Sequence, residues 1–246
     1  MGLLEIALVA VAVLIVIVGI FAAGTSVYLS IKYVKFNRRN NSAGLTGEDA
    51  ARQILDQNGL SHIKVKVTGS ILFGNSYSHY FKKVRLRRFT RHKTSVTALA
   101  MGAQKSALAV LDKEDDPDMK KRIKLVPLIT FGPFAFIPLL VIGVLIDILL
   151  FSSSGICTLI LCGASILFYL AALILSISTL KTEKKAQERA CAILSETGMA
   201  TYDEIEDMKE LYRLYNIQYI NDIILSALEL IYRILEIAIE IYKNKD

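Results

Sequence analysis

Three histidines, His62, His79 and His92, are the only imidazoles in the chain, and none lies three or four residues from another. Two ligands on one helical face need that spacing, so no helix offers a ready H-x-x-x-H metal site. Cys157, Cys162 and Cys191 are odd in number and lack paired ligand spacing, and they read as small buried hydrophobes. Neither a Gly-rich phosphate loop nor a nucleophile elbow occurs, and Gly44 and Gly47 punctuate a linker. The chemistry that does stand out is cationic: Lys82, Lys83, Arg85, Arg87, Arg88, Arg91 and Lys93 crowd one short stretch. Such a cluster can hold lipid headgroups or nucleic acid, and its simpler reading is a solvated basic strand and turn near a membrane.

The elements that carry these residues are dominated by apolar runs. Of 246 residues, 53% are hydrophobic, which puts membrane spans ahead of a soluble domain. Residues 6–31 hold no charge, and Lys32, Lys35, Arg38 and Arg39 follow them. That order predicts an uncleaved anchor with its N-terminus outside. A second uncharged run, 125–146, contains Pro127, Pro133 and Pro138, so a kink or an interfacial turn is expected. A third, 148–180, opens with Phe151-Ser152-Ser153-Ser154-Gly155, which predicts an external loop and a helical hairpin.

Asp147 is the one ionisable group inside that hairpin. An intramembrane carboxylate is a functional candidate, and solvation beside the loop is the competing reading. Near the C-terminus, Asp222, Ser226, Glu229, Arg233, Glu236 and Glu240 recur at steps of three and four among apolar residues. The pattern predicts a helix with a narrow polar stripe, either a fourth span or an interfacial helix.

Charge is unevenly spread. Between Lys32 and Lys124 there are 20 Lys/Arg against 8 Asp/Glu, a net +12, which leaves −6 elsewhere from the total of +6. The organisation expected is an anchor at 1–31, a basic insert at 32–124, a membrane hairpin at 125–180, charged helices at 181–217 and the striped helix at 218–246. The positive-inside rule puts 32–124 and 181–217 in the cytoplasm of a cell-membrane protein.

Within the insert, Thr46 with Glu48 and Asp49 starts a helix that Asn58-Gly59 stops. Residues 63–67 and 83–87 alternate apolar and basic with period two. They predict two paired strands joined by a long hairpin connection over 69–80. Thr94 or Ser95 caps a helix from Val96 to Leu111 that is rich in Ala and Gly, and such residues permit close packing. Further helices are expected from Lys181 to Glu196, stopped by Gly198, and from Asp203 to Tyr215.

These elements resemble one family, the membrane-anchored neutral zinc metallopeptidases of bacteria. The likeness rests on Ser42-Ala43-Gly44-Leu45-Thr46-Gly47, Ala51-Arg52-Gln53-Ile54-Leu55-Asp56 and Asn58-Gly59-Leu60. Val84-Arg85-Leu86 and the segment Thr179-Leu180, Glu183, Ala186, Arg189-Ala190 extend it. The resemblance implies a mainly α membrane protein of three or four transmembrane helices with a small α+β zincin-like cytoplasmic insert. It also implies an H-E-x-x-H helix, in which two histidines bind zinc and the glutamate activates water. The matching positions here hold Gln104, Lys105 and Leu108, and the family's H-Y-D-P region reads Ser76-Tyr77-Ser78-His79. Glu183 matches a later carboxylate ligand.

The expectation is therefore an inactive homologue with no catalytic residues, no bound metal and no cofactor, serving a binding, regulatory or structural role. The alternative is a zinc-dependent membrane peptidase whose site is rebuilt from His79, His92 and Glu183. Partners expected are the bilayer, a peptide or protein, and a second copy of the chain, with nucleic acid disfavoured.

Overall fold

The computed structural model describes residues 2–68, 74–150 and 156–243, and the chain is mainly helical. Its elements run α1 (Leu3–Arg38), α2 (Gly47–Gln57), β1 (Lys64–Val67), β2 (Ser76–Ser78), β3 (Lys83–Leu86), α3 (Arg88–His92), α4 (Val96–Lys113), α5 (Pro117–Leu150), α6 (Ile156–Glu196) and α7 (Tyr202–Lys243). The chain divides into two compact units. One comprises Met1–Ala22, Lys124–Ser178 and Ile220–Asp246, and the other Ala23–Ile123 and Thr179–Tyr219.

The first unit holds the most apolar sequence. Among the described residues, Leu3–Arg38 and Ile166–Glu196 are helical stretches long and apolar enough to cross a membrane, and Val141–Leu150 is a shorter apolar segment. Asp147 is buried, and its Oδ1 accepts the backbone N–H of Cys157 at 2.9 Å. The carboxylate thus satisfies a donor of the first turn of α6, where the helix leaves its N–H groups unpaired. The expected loop at 151–155 and the side chain of Cys162 lie outside the described residues.

The second unit is built around α4. Ser95 caps it by accepting the Ala98 N–H, and every residue from Val96 to Leu111 except Lys105 is buried. Against it lie Ala50, Ala51, Ile54 and Leu55 of α2, Val84 and Leu86 of β3, Ala186, Ala190 and Leu194 of α6, and Met208, Leu211 and Tyr212 of α7. Small residues let the backbones meet. A Cβ on Gly102 would run into the Gly47 carbonyl, and one on Gly47 would run into the Thr90 carbonyl. The Tyr212 hydroxyl donates to the Ala100 carbonyl at 2.6 Å, tying α7 to the middle of α4.

The helix ends follow local chemistry. Thr46 and Asp49 form a reciprocal capping box on α2, which ends at Asn58, and Gly59 takes φ +67°. Asp116 accepts the N–H groups of Asp118 and Met119 at the start of α5, where Pro117 lacks a donor to lose. The Glu204 carboxylate accepts the Thr201 N–H at 2.8 Å, and also the N–H and hydroxyl of Ser42 at 2.6 and 2.8 Å. One side chain therefore caps α7 and fastens the linker that follows α1.

Three expectations require correction. Strands 64–67 and 83–86 do pair, but in parallel, in register Lys64 with Lys83 and Val67 with Leu86. Ser76–Ser78, assigned to the connection, forms a third strand antiparallel to β3, giving the order β1-β3-β2. The second apolar run lies within α5, one helix from Pro117 to Leu150. The charged segments at 181–196 and 203–215 are also not separate helices. They are parts of α6 and α7, because no Gly or Pro interrupts either helix where apolar sequence meets charged.

Candidate functional site

The helix α4 presents Gln104 and Lys105 to α6, and both side chains converge on Glu183. Glu183 Oε2 accepts from Gln104 Nε2 at 2.8 Å and from Lys105 Nζ at 2.8 Å. Its Oε1 accepts from Arg122 Nη2 at 2.7 Å, contributed by the first turns of α5. The three charged side chains are only 12%, 18% and 16% exposed for Lys105, Glu183 and Arg122, so the network is largely removed from water. Burial pushes the Glu183 carboxyl up, but the two cations outweigh it and hold the group at about 2. The carboxylate is ionised at any ordinary pH.

Gln104, Lys105 and Glu183 border a cavity of about 370 Å³, shared with Arg87, Gln187 and Asn216. Gln187 and Asn216 exchange reciprocal amide hydrogen bonds at 3.1 and 2.7 Å, so their orientation is fixed across α6 and α7. The chemistry offered is hydrogen bonding and charge set in a largely apolar wall that includes Tyr33, Met101 and Leu180.

A zinc ion does not fit this donor set. Gln104 offers an amide whose N–H is committed to Glu183, and Lys105 brings a cation to the same carboxylate, where it repels a metal ion. Leu108 offers no donor and is fully buried in the core. Glu183 is held by three donors. Arg122 and the Gln187–Asn216 pair went unread in the sequence, since nothing local links them to Glu183.

The histidines lie elsewhere. His79 Nδ1 is 2.7 Å from Asp112 Oδ2, an oxygen that also accepts the Tyr77 hydroxyl at 2.5 Å. Burial pushes the Asp112 carboxyl up, while the Tyr77 and His79 hydrogen bonds lower it further, and the net shift is downward. Lys82 Nζ stands 3.6 Å from the same oxygen. The cluster joins β2 and the turn after it to the C-terminal half of α4. His62 and His92 are exposed.

The basic residues expected to act together are divided. Arg91 is bound to Glu48 through Nε and Nη2 at 2.5 and 2.6 Å, and Lys82 faces Asp112. Arg87 lines the cavity, while Arg88 and Lys93 flank α3 in solvent. Lys83 and Arg85 alone project from β3.

Residues 11–238 match the family described as "Putative neutral zinc metallopeptidase", and the chain belongs to that family. It is 26% identical over 223 residues to the protein named "Putative membrane protease YugP" of Bacillus subtilis (strain 168), covering 89% of this chain and 94% of that one. No solved structure matches it. Two apolar helices and a relative named as a membrane protease point to membrane association.

Proposed function

We propose that this chain is a non-catalytic member of its family, a membrane protein with three or four transmembrane helices that binds a partner without cutting it. The N-terminus lies outside and the second unit lies in the cytoplasm, as the basic residues after α1 favour. The Lys105–Glu183 pair carries the reading: the helix position from which the family's glutamate would activate water holds an ammonium group, largely screened from water and bonded to a carboxylate. The cavity beside that pair sets the cations Arg87 and Lys105 and the amides of Gln187 and Asn216 among Tyr33, Met101 and Leu180, a mixture suited to both the oxygens and the apolar side chains of a peptide. The sheet edges β1 and β2 offer strand addition for an extended segment.

Metal analysis of the purified full-length chain tests this. Zinc well below one per chain, with no chelator-sensitive peptide cleavage, is the expected outcome. Stoichiometric zinc that disappears in His79→Ala or His92→Ala would overturn it.

One observation favours the second reading, a zinc-dependent peptidase with a relocated site. His79 already gives one ring nitrogen to a carboxylate, the arrangement that orients a histidine whose other nitrogen ligates a metal. The same metal analysis separates the two.

A further inference from the structure

The parallel register sets four cations side by side. Lys64 pairs with Lys83, and Lys66 with Arg85, and directly paired residues share one face of a sheet. Val84 and Leu86 alternate with Lys83 and Arg85 and are fully buried, so the cationic face is the outer one. On the third strand, Ser78 pairs with Lys83 and Ser76 with Arg85. The outer face is therefore a grid of two rows, each lysine–cation–serine, about 5 Å between strands and about 7 Å between rows.

Phe81 lies in the turn just before β3 and is 67% exposed. Lys83 Nζ lies 4.5 Å and Arg85 Cζ 5.8 Å from its ring centroid. Among the described residues, none of the four cations makes an ion pair. Like charges directly opposite one another destabilise a sheet. Here the arrangement occurs twice in succession with no internal carboxylate to relieve it.

We propose that this face docks on anionic phospholipid headgroups, the four cations and two serine hydroxyls binding phosphate oxygens and Phe81 entering the headgroup layer. Charge complementarity selects a polyanion. The chain's own apolar helices select the bilayer among polyanions, because they hold this unit at high effective concentration beside one. An exposed ring among cations adds the apolar contact that surface association with lipid uses. The inference uses the membrane residence of the chain and is independent of whether a metal binds.

The chain has no tryptophan, so Phe81→Trp supplies a single reporter. The full-length variant is reconstituted in nanodiscs of phosphatidylcholine alone or with phosphatidylglycerol, each with or without acyl-brominated lipid. Blue-shifted emission and bromine quenching in the anionic discs, reversed by raising salt, are expected. Replacing Lys64, Lys66, Lys83 and Arg85 by Gln in the same background should abolish the difference, and each single change should weaken anionic-lipid attachment about fivefold. These side chains are on the outer face, and the reporter's own salt response tests the idea even if the quadruple variant misfolds. Identical emission and quenching in both discs would overturn the proposal. So would an emission change caused only by added duplex oligonucleotide, which would assign the face to nucleic acid.

Discussion

Lys105 Nζ donates to Glu183 Oε2 at 2.8 Å across α4 and α6, and Arg122 holds the other oxygen of the same carboxylate at 2.7 Å. Two largely desolvated cations thus depend on one anion. Glu183→Gln leaves both without a countercharge and should cost about 3–5 kcal/mol, whereas Lys105→Met leaves Glu183 paired to Arg122 and should cost clearly less. Thermal melting of the detergent-solubilised full chain, variant against parent, checks the order. Equal losses would mean that Lys105 is the essential partner.

The same network sets an acid limit. Because the folded carboxyl is held at about 2 against an ordinary 4.5, its contribution is complete above about pH 4.5 and is lost as pH falls toward 2. The contribution is on the order of 3 kcal/mol. Melting temperature followed from pH 6 to pH 2.5 should fall, and the fall should be shallower in Glu183→Gln. An unchanged slope in the variant would place the acid sensitivity elsewhere.

Gly102→Ala puts a methyl group against the Gly47 carbonyl where two backbones touch. Overpacking there should cost roughly 1–3 kcal/mol or more. Gly19→Ala, with open space around its position, serves as the control and should be neutral or stabilising. Chemical denaturation monitored by circular dichroism distinguishes them.

Tyr77→Phe removes a hydroxyl donated to the ionised Asp112, and should cost about 1.5–3 kcal/mol. Asp112→Ala removes the acceptor that Tyr77 shares with His79 and should cost at least as much. Amide hydrogen exchange would register both changes first in β2, which this carboxylate fastens to α4.

How much of this was visible in the sequence divides along range. The Thr46 capping box, the Asn58-Gly59 stop and the Ser95 cap depend on residues within four positions of one another, and each was readable. Strand direction was not, because alternation marks a strand without saying which neighbour it joins or which way that neighbour runs. The continuity of α6 and α7 was hidden for a related reason: a change from apolar to charged composition marks a change of surroundings, and helices cross such changes freely. At the site, resemblance singled out Gln104, Lys105 and Glu183, and the fold brings the three together. The salt-bridge partner Arg122 lies 61 residues from Glu183, and only folding brings the two together.

Lys66→Glu should act in opposite directions at once. Opposite Arg85, a carboxylate turns a repulsive cross-strand pair into an attractive one and should stabilise the sheet by about 0.2–1 kcal/mol. It should also weaken attachment to anionic lipid. Denaturation and vesicle flotation of the same variant read the two effects.

The cationic grid has one more consequence, for the chain in company with its copies. Among the described residues β1 and β2 are the edges of the sheet, and each leaves a row of backbone groups that another chain could extend. Any second sheet brought up by a neighbouring copy would carry the same four positive charges, and stacking the two outer faces would set them against each other. Where two copies meet, that mutual repulsion opposes stacking of their sheets face to face and leaves edge pairing as the remaining route of contact.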